Sequence, residues 1–163
     1  MRRSSGKVTL ARRSLLLGAT AAALVPMATS SQAAYTERVL VDPVSGLAIF
    51  GYDPVCYFLD NRPRAGFGQH ELVWSSATWR FRSTGNLAAF QDHPEVYAPA
   101  FGGYAAEHVA DRRAVESDPA LYAIVGERLY LFRTAQGRDE FMQDGHRAAA
   151  EAAWPALEAS LLP

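Results

Sequence analysis

The chain has 163 residues, 49% of them hydrophobic and 20% charged, which supports one core of ordinary size. Its single cysteine, Cys56, excludes an internal disulfide. All seventeen acidic residues lie beyond residue 33, whereas five of the sixteen basic ones precede it, so residues 34–163 carry −6; that sign argues against a nucleic-acid partner or an anionic membrane surface.

The first element is a leader. Arg2, Arg3, Lys7, Arg12 and Arg13 form a basic stretch, and Leu15 to Val25 a short apolar one, the layout of a secretory signal. The Arg12-Arg13 pair abuts an apolar run diluted with Gly18 and Thr20, which points to the twin-arginine route. Ala11 and Leu17 depart from the commonest form of that motif. Small residues at Ser31 and Ala33 mark a cleavage site, so the expected division is a leader over 1–33 and a domain over 34–163, delivered to the periplasm or secreted. Pro26, Thr29, Ser30, Ser31 and Gln32 cut the apolar run short of the roughly 20 residues a membrane-spanning helix needs. No stable membrane anchor is expected, and the precursor's partner is the twin-arginine export machinery.

Beyond the leader, Asp53-Pro54 sets up a short helix to Leu59, with Asp as cap and Pro at the first position. Residues 61–68, with Pro63, Gly66 and Gly68, read as a loop. Leu72 and Trp74, then Trp79 and Phe81, alternate with polar neighbours about Ser75-Ser76-Ala77, the pattern of a half-buried hairpin. Ser83 caps a helix to about Asp92 that turns Leu87 and Phe90 inward, and Pro94 breaks or restarts it. After Pro99-Ala100-Phe101-Gly102-Gly103-Tyr104, a second hairpin is expected over 121–132. Thr134 caps the helix that follows it, and the chain closes with a helix from His146 interrupted at Pro155.

An internal repeat emerges. Trp79-Arg80-Phe81-Arg82-Ser83 with Phe90 matches Tyr130-Leu131-Phe132-Arg133-Thr134 with Phe141 at one constant offset. The expected fold class is therefore α+β, a small single domain of two hairpin-and-helix units sharing one core.

Gly51-Tyr52-Asp53-Pro54-Val55-Cys56-Tyr57-Phe58, Ala77 to Ser83, His93-Pro94-Glu95-Val96-Tyr97-Ala98-Pro99 and Phe101-Gly102-Gly103-Tyr104 together resemble the YHS domain family, in its exported bacterial form. The resemblance runs on through Asp118-Pro119 and Leu129-Tyr130-Leu131 to Ala153-Trp154-Pro155 and spans nearly all of the chain after the leader. It implies a small α+β domain of the kind found beside copper-transporting ATPases and in some aromatic hydroxylases, associated with metal binding through cysteines. Asp53-Pro54-Val55-Cys56 reproduces the start of the family's metal-associated "DPVCGM" opening. Arg82, Asn86 and Ala105 stand where further cysteines occur in that pattern, and a soft-metal site needs two or more sulfur or nitrogen ligands together.

The candidate metal ligands are Cys56, Glu107 and His108, the last two following the Gly102-Gly103 loop; copper or another transition metal is the implied cofactor. Against this, a lone cysteine is most often a small buried hydrophobe, and His70, His93, His108 and His146 show no local metal-binding spacing. No nucleophile elbow or acid pair argues for an enzyme. The expected function is an exported binding protein for a metal ion or small ligand, an accessory to metal handling or oxidative metabolism. The alternatives are a small enzyme or enzyme subunit with an aromatic-lined pocket near Gly102-Gly103, and a purely structural interaction domain.

Overall fold

Trp79 and Phe81 lie two apart on one strand and so face the same way, and both are buried, as are Tyr130 and Phe132. The fold is organised around these two pairs. In a computed structural model, residues 37–161 are described, all within the second of the chain's two units, Ala33–Pro163; the leader expected over 1–33 lies outside the described residues. Strands β1 (Phe67–Trp74) and β2 (Ala77–Phe81) form one antiparallel hairpin, and β3 (Asp118–Val125) and β4 (Arg128–Phe132) another, each a two-stranded sheet of its own. Before the first lies α1 (Cys56–Leu59), between the two lie α2 (Thr84–Asp92) and α3 (Pro94–Tyr97), and after the second come α4 (Ala135–Phe141) and α5 (His146–Glu158). The architecture is α+β.

The two hairpins are copies in register as well as in sequence. In the first, Phe67 opposes Phe81 and a bulge shifts the pairing to Glu71 opposite Arg80. In the second, Asp118 opposes Phe132 and the same shift brings Tyr122 opposite Leu131. Both turns are tight and left-handed, Ser75-Ser76 at φ 50° and 62° and Gly126-Glu127 at 56° and 62°, the twist that suits a two-residue hairpin.

Each hairpin feeds a capped helix. The Ser83 hydroxyl accepts from Asn86 N–H at 3.1 Å, and the Thr134 hydroxyl from Gly137 N–H at 2.9 Å. Phe90 then lies 5.0 Å from Trp79 and 5.2 Å from Phe81 by ring centroids, and Phe141 lies 5.2 Å from Tyr130 and 5.3 Å from Phe132. Helices this short do not persist alone, whereas burying one phenylalanine stabilises by about 2–3 kcal/mol. The strands therefore hold the helices.

The repeat extends upstream of where the sequence reveals it. Ile49, Phe50 and Gly51 take φ of 41°, 58° and 76°, and Phe101, Gly102 and Gly103 take 57°, 61° and 87°, three successive left-handed residues in each case. Both turns close alike: Tyr52 N–H donates to Ile49 C=O at 3.2 Å, and Tyr104 N–H to Phe101 C=O at 3.0 Å. One residue clasps the two turns together, since Leu40 N–H donates to Gly102 C=O at 2.8 Å and Leu40 C=O accepts from Ile49 N–H at 3.0 Å.

The halves share their interior. Leu129 and Leu131 of β4 join Trp79, Phe81 and Phe90 in one core cluster, and the Tyr57 hydroxyl donates to Pro119 C=O at 2.9 Å. One expectation is corrected: α5 is continuous through Pro155. The proline falls in the last turn, where it removes a single hydrogen bond, and buried Ala150 and Leu157 keep the helix seated on either side of it.

Candidate functional site

The Gly102-Gly103 turn is forced by crowding. A Cβ at Gly102 would stand 1.9 Å from the Arg38 carbonyl oxygen, and one at Gly103 would stand 2.7 Å from Ile49 Cγ2; only glycine lets backbone approach so closely at positive φ. The turn buries Phe101, whose ring lies 5.6 Å from Tyr130 and 5.5 Å from Trp154.

Beside the turn opens a cleft of about 270 Å³. Phe101 and Gly102 line it together with Trp74, Trp79 and Trp154, which are all the tryptophans of the chain. Trp74 and Trp79 meet at 63° and Phe101 and Trp154 at 50°. Trp79 is committed to the fold, its indole N–H donating to Trp74 C=O at 3.1 Å, while Trp74 and Trp154 are half-buried. Arg38, Glu95, Arg128 and Glu158 complete the charged part of the lining. The sequence flagged the glycine turn as the edge of an aromatic pocket but gave no sign of Trp154 or of the four charged groups, which come from distant segments.

The three expected metal ligands are placed differently. Cys56 opens α1, buried at 2% exposure, with the Asn86 side-chain amide 3.5 Å from its sulfur. Burial first, and then the charge of Asp53, pushes its thiol up from 9.0 to about 12. His108 is the counterpart of Cys56 in the repeat: Cys56 N–H donates to Asp53 C=O at 3.3 Å, and His108 N–H to Ala105 C=O at 3.1 Å. Residues that correspond across the repeat belong to different halves, and among the described residues no three His, Cys, Asp or Glu side chains gather to hold a metal ion.

Glu107 has a structural task. Its Oε1 accepts from Arg133 N–H at 2.9 Å and Thr134 N–H at 3.1 Å, tying the start of α4. Asp53 does the same for the first half. Fully buried, it accepts from Val55 N–H at 2.8 Å, Arg82 N–H at 2.7 Å and the Asn86 side-chain amide at 2.7 Å. The expected role of Asp53 as the cap of a helix beginning at Pro54 is corrected: α1 begins at Cys56 after Val55, with no side-chain cap, and Asp53 instead joins the turn before α1 to the β2–α2 turn. Arg82 and Asn86, which stand at family cysteine positions in the resemblance, are both partners of this carboxylate.

No family model, curated protein or solved structure matches the chain. The described residues thus present an internally repeated α+β domain with one tryptophan-lined cleft beside a left-handed turn.

Proposed function

We propose that the chain is an exported binding module of YHS type, acting in the periplasm or outside the cell, whose ligand is a small molecule held in the cleft beside Gly102. The observation that carries the reading is the convergence of all three tryptophans on that cleft. Apolar, aromatic-lined concavities with a few polar groups are where small ligands bind, and Trp74 and Trp154 are only half-buried there, above the buried Trp79. Binding is preferred to catalysis because neither histidine nor cysteine lines the cleft. Small-ligand binding is preferred to metal binding because Cys56 is sealed in the core and does not line the cleft.

A fragment screen on protein purified from its native compartment, read by tryptophan emission and by saturation-transfer NMR, tests this. Fragments that shift the emission of the native protein, and lose that effect in Trp154→Leu, are expected. A screen in which no fragment perturbs the indoles, alongside stoichiometric copper, zinc or iron by elemental analysis, would replace the reading with the metal one.

A further inference from the structure

Arg82 and Arg133 correspond across the repeat, each following the last residue of its hairpin, and each is pinned at both ends in the same way. The Arg82 backbone N–H donates to Asp53 at 2.7 Å and its Nη1 to Ala65 C=O at 3.2 Å; the Arg133 backbone N–H donates to Glu107 at 2.9 Å and its Nη1 to Glu116 C=O at 3.3 Å. Ala65 and Glu116 each lie two residues before the strand position that opposes Phe81 or Phe132. The two guanidinium groups therefore hold equivalent places on the two hairpins.

What lies against them differs. In the first half the opposing position is Phe67, and the Arg82 guanidinium carbon stands 4.8 Å from the centre of its ring. In the second half that position is Asp118, whose Oδ1 accepts from Ala120 N–H at 2.8 Å and so is held to its own strand. Arg82 is half-buried, whereas Arg133 is exposed. A hollow of about 400 Å³ opens beside Arg133 instead, lined also by Asp118, buried Pro119 and half-buried Phe50. Phe50 comes from the left-handed turn of the first half and packs against the cluster of Leu40, Tyr104 and Leu161. This hollow shares no lining residue with the tryptophan cleft.

A guanidinium attracts the face of an aromatic ring through the ring quadrupole, most strongly where the ring is electron-rich, and the first half shows such a ring seated against this backbone. We infer that the hollow beside Arg133 binds the electron-rich ring of a small aromatic molecule, of phenol or indole type, which stacks on the guanidinium in the place that Phe67 fills in the other half. The site is separate from the cleft beside Gly102 and stands whether or not that cleft holds a ligand.

Two probes of matched size test this on the unmodified protein: p-cresol, which has an aromatic face, and 4-methylcyclohexanol, which has none. In carbon-resolved NMR titrations p-cresol is expected to move the Arg133 δ-methylene resonance upfield by its ring current, and to bind at least about fivefold more tightly than the saturated probe. Arg133→Gln identifies the resonance by its loss. Asp118→Phe, which supplies a ring from the chain itself, is expected to weaken p-cresol at least about tenfold relative to Asp118→Ala; both variants lose the bond to Ala120 N–H, so they differ only in the ring, and circular dichroism shows whether they fold. An Arg133 resonance that p-cresol leaves unmoved overturns the site, and so does equal binding of p-cresol to the two Asp118 variants. Binding of 4-methylcyclohexanol as tight as that of p-cresol overturns the stacking. Because the readout is at Arg133, any of these results leaves the cleft reading to its own test by indole emission.

Discussion

The two halves of the repeat build the same strand-to-helix corner from different atoms. In the first, a short acid, Asp53, reaches the corner with help from Asn86, whose side-chain amide fills the remaining distance. In the second, a longer acid placed two positions further along, Glu107, spans the gap unaided, and Asn86 gives way to Gly137. The glycine is there for room, since a Cβ would stand 2.5 Å from Glu107 Oε1. What the repeat preserves is the position of a carboxylate oxygen beneath two or three donors; acid length, sequence position and neighbour volume change together around it. The left-handed turns differ in the same spirit. The first carries Phe50 where the second carries Gly102, because only the second has a carbonyl pressed against it.

The largest effect that would break this comparison is expected at Gly102. Gly102→Ala should cost about 4 kcal/mol, adding backbone strain to a clash with a backbone oxygen. Phe50→Gly, at the equivalent place, should cost less than half as much; chemical denaturation of both variants measures the gap, and equal losses would show the turns to be interchangeable.

Next come the acids. Asp53→Ala strands three donors and should cost about 3 kcal/mol, and Glu107→Ala about 1–2 kcal/mol because its corner is more open to water. Gly137→Ala should destabilise by about 1–2 kcal/mol alone, yet be nearly neutral in a Glu107→Ala background. Additivity of those two losses in denaturant titrations would refute the proposed trade of volume.

An effect confined to alkaline pH, and absent near neutrality, sharpens the comparison at Cys56. Its thiol is raised in the folded state, so the protonated form is favoured by folding; the associated stability is intact below pH 9.0 and is lost as pH climbs toward about 12. Unfolding followed from pH 8 to about 12 should show the unmodified protein losing ground to Cys56→Ala. A thiol reagent should label Cys56 only after denaturation, and fast labelling of the native protein would show that the sulfur is open.

The hairpins and their helices were legible because Trp79, Phe81 and Phe90 repeat as Tyr130, Phe132 and Phe141 at one spacing. The upstream half of the repeat was not, although Gly51-Tyr52 and Gly103-Tyr104 advertise it. Its offset is 52 residues rather than 51, and the carboxylate that matters has moved from Asp53 to Glu107, so no aligned position shows the equivalence. Pro155 misled because a proline reads as a break, yet in the final turn of α5 little is left to interrupt. At the site, Gly102 could be singled out because paired glycines signal close approach. Arg38, Arg128 and Trp154 could not, since nothing local brings residues so far apart in sequence to one hollow.

Leu40 hydrogen-bonds to both left-handed turns at once, giving its N–H to one and its C=O to the other. A nick or trimming event that removed it would release both turns from a single point, so the latest residue at which the domain can start and still close them is near Val39, whatever precedes it.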